Sequence, residues 1–227
     1  MDKVRIIHVY KSFNVYNGLI EILQILAQNI DHDRYEFSVA VFEYEKNSFG
    51  EMFEKSGGKI INLNLHQNAF TEYQYILALK KLFTAYKPHI VQTHVLKANL
   101  YGTLAAKMAQ VPVVVATEMT LKDIAPTAAK RFRDRLVQPI VGYIIDNCDR
   151  FMVTSEFIKR EWMNSANQNR FEVIYPPFNL DKYDKAVRIP RTDIQSVGRN
   201  IGFVGRLSEE KSVDILLEAI AIVKEQY

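Results

Sequence analysis

His89-Ile90-Val91-Gln92-Thr93, then Ala98 to Met108, then Val111-Pro112-Val113-Val114-Val115-Ala116: the order of these three segments decides the fold. The first reads as a short strand. The second is alanine-rich and reads as a helix. The third is a continuous β-branched run, as expected of a strand covered on both faces rather than one. A helix between two such strands is a crossover, and crossovers of this length join parallel neighbours.

The alternation extends in both directions. Towards the N-terminus, Val4 to Tyr10 is β-branched and aromatic, and Leu19 to Ile30 carries apolar residues at the three- and four-residue spacings of one helical face. Phe37 to Phe42 reads as a second strand. Lys59 to Leu63 reads as a third after the Gly57-Gly58 break, and Tyr73 to Tyr86 as a helix with Ile76, Leu79, Leu82 and Phe83 on one side, stopped by Pro88. Towards the C-terminus, Thr127 to Ile145 is helical in pattern with Pro139 inside it. Phe151 to Thr154 is a strand, Ser155 caps a helix from Glu156 to about Met163, and Phe171 to Tyr175 is a last strand. The predicted architecture is α/β: a Rossmann-like, doubly wound parallel sheet with helices on both faces. Ligands of such sheets bind at the carboxyl ends of the strands. The loops after Tyr10, Thr93, Glu118 and Ser155 are the expected site.

The periodicity stops at Tyr175-Pro176-Pro177-Phe178-Asn179. We place a first domain at residues 1–178, a linker at 179–200, and the opening of a second Rossmann-like domain at 201–227. There Ile201-Gly202-Phe203-Val204 reads as a strand and Ser212 to Lys224 as a helix. That helix carries Val213, Leu216, Leu217, Ile220 and Val223 on one side. One strand and one helix do not bury an apolar face alone. Self-association through this segment, or a partner chain that covers it, is therefore expected.

Composition narrows the function. The 29 basic and 26 acidic residues leave a net charge of +3, too balanced for a nucleic-acid partner to be argued from charge. The single cysteine, Cys148, has no disulfide partner and no metal-ligand spacing around it, so a reducing, cytoplasmic setting and a small buried residue are expected. No apolar run approaches the ~20 residues of a membrane span. No G-x-G-x-x-G follows the first strand, which argues against a dehydrogenase.

The most informative motif is Phe203-Val204-Gly205-Arg206-Leu207-Ser208-Glu209-Glu210-Lys211. Arg206 and Lys211 flank a short turn before a helix, and helix N-termini present unpaired N–H groups suited to phosphate. Arg206 adds a bidentate fork and Lys211 a mobile point charge. With Val213-Asp214-Ile215-Leu216-Leu217-Glu218-Ala219 after it, this segment resembles the opening of the donor domain in family 4 retaining glycosyltransferases, which have the GT-B fold of two Rossmann-like domains.

The rest of the chain carries the same resemblance. Asn17-Gly18-Leu19-Ile20-Glu21 resembles the family's first glycine-rich loop, with Leu19 where a second glycine is usual. His94, followed by Asn99-Leu100-Tyr101-Gly102, resembles its strand-end histidine. Thr117-Glu118-Met119 stands where the family usually has a cleft-lining histidine, and Val153-Thr154-Ser155-Glu156 matches a strand-to-helix turn facing the cleft. Ile174 to Asn179 resembles the interdomain crossing.

The resemblance implies transfer of a sugar from a nucleoside-diphosphate donor to a hydroxyl acceptor, with retention and without a metal or other cofactor. It implies diphosphate binding by Gly18, Arg206 and Lys211, catalysis by His94 and Glu118, and a cleft lined by Met119 and Ser155. The acceptor is expected to be a saccharide or a lipid-linked one. The basic helix start Lys130, Arg131, Arg133 and Arg135 would then face an anionic membrane surface, making the protein peripheral at the inner face. The family's downstream pair of glutamates has no counterpart before Tyr227, so this chain alone is expected to be inactive. Two alternatives follow: a nucleotide-sugar 2-epimerase-like GT-B protein, and a non-catalytic binding or assembly subunit, favoured by Met119 and Leu19.

Overall fold

The structure, a computed structural model, describes residues 3–65, 72–119, 139–164, 167–181, 184, 201–205, 207 and 211–226. It divides into two compact units, Met1–Asn179 and Leu180–Tyr227.

The first unit is a seven-stranded sheet. Its strands are β1 (Val4–Ser12), β2 (Tyr35–Glu43), β3 (Lys59–Asn62), β4 (Ile90–His94), β5 (Val113–Glu118), β6 (Arg150–Val153) and β7 (Phe171–Val173). The spatial order is β3-β2-β1-β4-β5-β6-β7, and every pair is parallel. The helices are α1 (Gly18–Asn29), α2 (Ser48–Lys55), α3 (Glu72–Tyr86), α4 (Leu96–Met108), α5 (residues 139–147) and α6 (Glu156–Trp162). The chain runs outward from β1 to β3, returns through α3 to β4, and then runs outward the other way. β1 and β4 are therefore adjacent strands whose connections leave in opposite directions, and their carboxyl ends form the topological switch point.

Local chemistry explains the elements that frame this point. Asn17 caps α1: its Oδ1 accepts from the backbone N–H of Leu19 and Ile20. Leu19, Ile20, Leu23 and Ala27 then recur on one face and are buried. They pack with Phe13, Phe37, Val39, Val41 and Phe53 on one side of the sheet. The other side carries the larger cluster, in which Ile7, Val9, Val91, Val114 and Ala116 meet Leu79 and Phe83 of α3 and Ala105 of α4. Each fully buried Leu, Ile or Phe stabilises the fold by about 1.5–3 kcal/mol. Cys148 is buried as expected, and burial pushes its thiol up to about 11.

Three expectations need correction. Residues 201–204 form no strand; an isolated extended segment has no neighbour to complete a ladder, and none lies among the described residues of this unit. The Val111 to Ala116 strand begins only at Val113, because Pro112 has no N–H to donate. The apolar row of α3 is turned slightly from the one read in the sequence: Tyr75 joins Leu79 and Phe83 inside, while Ile76 and Leu82 are only partly buried. In the second unit α7 (Val213–Gln226) forms, with Ile215 and Leu217 more than half exposed.

Candidate functional site

The middle of β1 and the carboxyl end of β4 hold polar groups where an all-parallel sheet ordinarily has Val and Ile. On β1, His8 alternates with the core residues Ile7 and Val9 and so faces the α1 side of the sheet. On β4, His94 alternates with Thr93, whose hydroxyl turns the other way and donates to Asn99 Oδ1 of α4 at 2.7 Å. The two imidazoles meet across the switch point. His8 Nδ1 and His94 Nε2 are 2.8 Å apart, and the rings lie nearly parallel, at 10°. The His8 ring also lies against Phe37, with 4.7 Å between centroids. Both histidines are buried. Burial holds His8 down to about 3, and burial followed by the charge of His8 holds His94 well below the ordinary imidazole range. At neutral pH both are uncharged. His94 Nδ1 is buried and has no hydrogen-bond partner.

The loop from β1 to α1 opens a cavity of about 360 Å³ lined by Tyr10, Lys11, Ser12, Val15, Asn17 and Glu43. Asn17 organises it. Besides capping α1, its Nδ2 donates to Tyr10 Oη and to the Val15 carbonyl, both at 3.0 Å. Burial pushes the Tyr10 phenol up, and the bond from Asn17 partly opposes that. Behind β4, Asn99 Nδ2 donates to the Thr117 carbonyl at 3.0 Å, which ties α4 to the ends of β4 and β5.

The structure brings together some of the expected site residues and separates others. His94 ends β4 at the switch point, and Met119 packs at the edge of the α1-side core. Gly18 opens α1; a Cβ there would meet no atom within 4 Å. The two amides that follow Gly18 are taken by Asn17, and the side chain of Leu19 is turned into the core. Glu118 is not on the same face as His94. His94 is level with Thr117 in the register, so Glu118, one residue further on, faces the side of Ala116 and Val153. Its carboxylate accepts from the Met119 N–H at 3.0 Å. The Ser155 hydroxyl caps α6, accepting from Ile158 N–H at 3.2 Å. Lys211 is exposed in the second unit, just before α7. Arg206, Lys130, Arg131, Arg133 and Arg135 lie outside the described residues. No group of three or more His, Cys, Asp or Glu among the described residues is arranged to hold a metal.

Sequence reasoning missed His8, and it quoted Asn17 only as part of the loop motif, without a role. His8 sits inside a β-branched run and reads as one more strand residue; only the placement of β4 beside β1 shows what it faces.

Comparison with known proteins adds the family. The sequence profile of Glycosyltransferase Family 4 matches residues 16–182. The capsular polysaccharide biosynthesis glycosyltransferase CapM of Staphylococcus aureus is 24% identical over 98% of this chain and 58% of its own length. The chain thus spans little more than half of that relative. Among solved structures, a glycosyltransferase from Rickettsia africae aligns with a TM-score of 0.55 at 15% identity, over 84% of this chain and 47% of that one. A UDP-N-acetylglucosamine 2-epimerase from Listeria monocytogenes, described there as putative, aligns at 0.54 and 13% identity, over 76% of this chain and 44% of the other. Those two likenesses show a shared Rossmann-like GT-B fold. The profile match covers most of the chain, from the loop before α1 through β7, and the chain belongs to glycosyltransferase family 4.

Proposed function

We propose that the chain works in the transfer of a sugar from a nucleoside-diphosphate donor to a hydroxyl acceptor with retention, the acceptor being a saccharide or a lipid-linked one. The observation that carries this reading is the family match over a sheet whose switch point holds His94, a neutral buried imidazole with one ring nitrogen unpartnered. A neutral imidazole offers a hydrogen bond, not a charge, to substrate. The positive charge for the departing diphosphate would come from Arg206 and Lys211, with no metal required. Glu118, held by its own backbone and facing away from His94, would act through the position of Met119 rather than on the sugar.

The donor half is tested by titration of UDP, GDP and ADP. Replacement of Arg206 or Lys211 by Ala should weaken binding of the preferred nucleotide about tenfold or more, since hydrogen bonds to charged groups contribute ~1.5–3 kcal/mol. Equal affinities in wild type and both variants would remove the assignment. The anomeric configuration of the product, read by NMR, tests retention. Conversion of a UDP-sugar to its 2-epimer without acceptor would instead favour the epimerase reading, which the shared fold keeps in view.

Two further parts of the proposal concern surroundings. Lys130, Arg131, Arg133 and Arg135 would hold the protein at the inner face of an anionic membrane. Co-sedimentation with anionic vesicles should then fall as salt rises past ~0.1 M, where the Debye length is ~10 Å. Equal sedimentation with neutral vesicles would count against it. The exposed apolar residues of α7 would be covered by a second copy or a partner chain. A strictly monomeric chain in light scattering would exclude the second copy.

A further inference from the structure

The His8–His94 pair is more than packing requires. Val or Ile at either position would bury apolar surface with no polar group to satisfy. The pair has no third ligand to make it a metal site among the described residues. What distinguishes it is an asymmetry. Both rings are uncharged, so one of the facing nitrogens, His8 Nδ1 and His94 Nε2, carries the hydrogen and the other accepts it. Two arrangements satisfy that bond. If His8 donates, the hydrogen of His94 sits on Nδ1, where it is a buried donor with no acceptor. If His94 donates from Nε2, its Nδ1 is a bare lone pair. Orphaned buried N–H groups are rarer in folded proteins than under-satisfied acceptors. The second arrangement is the one the geometry favours.

We propose that His8 is a positioning residue for His94: it accepts the His94 Nε2–H, fixes that ring's tautomer and plane, and so leaves Nδ1 at the carboxyl end of β4 as an acceptor for a substrate hydroxyl. This rests on the reading of His94 as a substrate-facing group. It deepens that reading, because a bare, buried imidazole nitrogen selects a hydrogen-bond donor, and a sugar presents hydroxyls. The tilted contact with Phe37, at 49° between the ring planes, keeps the accepting ring of His8 in place. The hydrogen bond spans the two strands whose ends form the crevice, so a shift of either strand would be felt at Nδ1.

Long-range ¹H–¹⁵N NMR of the imidazoles in the 227-residue chain tests this directly. The expected spectrum has the hydrogen on Nε2 in both His94 and His8. His8→Gln, whose amide oxygen can still accept, should keep His94 in that tautomer. His8→Phe, which cannot accept the hydrogen bond, should mix the two tautomers of His94 where His8→Gln does not. A hydrogen on His94 Nδ1 in the wild type overturns the proposal, as does an unchanged His94 spectrum in a folded His8→Phe chain. The wild-type spectrum decides the tautomer by itself, so a variant that does not fold shields nothing. The predicted tautomers with no response of the His94 ring nitrogens to a nucleoside-diphosphate sugar would count against the substrate-facing reading of His94; such a response with the opposite tautomer would count against the positioning role alone.

Discussion

Acidification from pH 7 to pH 5 should destabilise the first unit by about 2 kcal/mol through His8 alone. Its ordinary pKa is 6.5 and its folded value about 3. As pH falls through 6.5 the unfolded chain takes up a proton that the folded chain refuses, so stability is lost from 6.5 downward until the folded value is reached. The slope is about 1.4 kcal/mol per pH unit. His94 is shifted in the same direction and steepens the loss. Other resolved shifts do not intrude on this window: burial moves Cys148 and Tyr101 upward, and Glu72 is moved downward by its bond to Lys97. Urea titrations at both pH values check this. The slope should shrink in His8→Gln, and a wild-type stability that is flat between pH 7 and 5 would mean the pair is not buried and neutral.

Gly102→Val should be the most damaging single substitution at the back of the site. A Cβ on Gly102 would lie 2.3 Å from Thr93 Cγ2, and Val9 stands behind it at 3.7 Å. Thr93 cannot rotate away at no cost, because its hydroxyl is bound to Asn99. Helix α4 would have to lift from β4, and Thr93 directly precedes His94. Overpacking of this kind costs about 1–3 kcal/mol or more, which outweighs the few tenths of a kcal/mol, roughly, by which Val exceeds Gly in a helix. Gly142→Ala in α5 is the control. A Cβ there meets nothing within 4 Å, so that change should be neutral or stabilising. Comparable unfolding midpoints for the two variants would show that α4 does not pack on β4 as described.

Most of the sheet was legible because parallel strands buried on both faces advertise themselves as β-branched runs. Helix α2 was not. It is eight residues long and contains Gly50, and its apolar Phe49, Met52 and Phe53 span little more than one turn, too short a run to read as a helix; Asn47 capping its first amides is what starts it. The segment at 201–204 is the converse case. Its residues favour a strand, but a strand exists only when a neighbour completes its hydrogen bonds, and propensity does not supply one. The site divides similarly. His94 was named only through the family resemblance, and the structure ends β4 with it. Its partner His8, 86 residues earlier, was not named, because the pairing depends on strand order. The separation of Glu118 from His94 follows from register, which alternation alone leaves open until β4 and β5 are aligned residue by residue.

The central proposal is that this family 4 chain handles a nucleotide-sugar at the carboxyl edge of the sheet, where β1 and β4 part. Backbone NMR during titration with a panel of nucleoside-diphosphate sugars tests it most directly. The account predicts that at least one member shifts residues 13–18, His94, Val95 and Met119, and broadens or moves the His94 ring nitrogens. Shifts confined to the opposite edge, around Lys87 to His89 and Gln110, would contradict it.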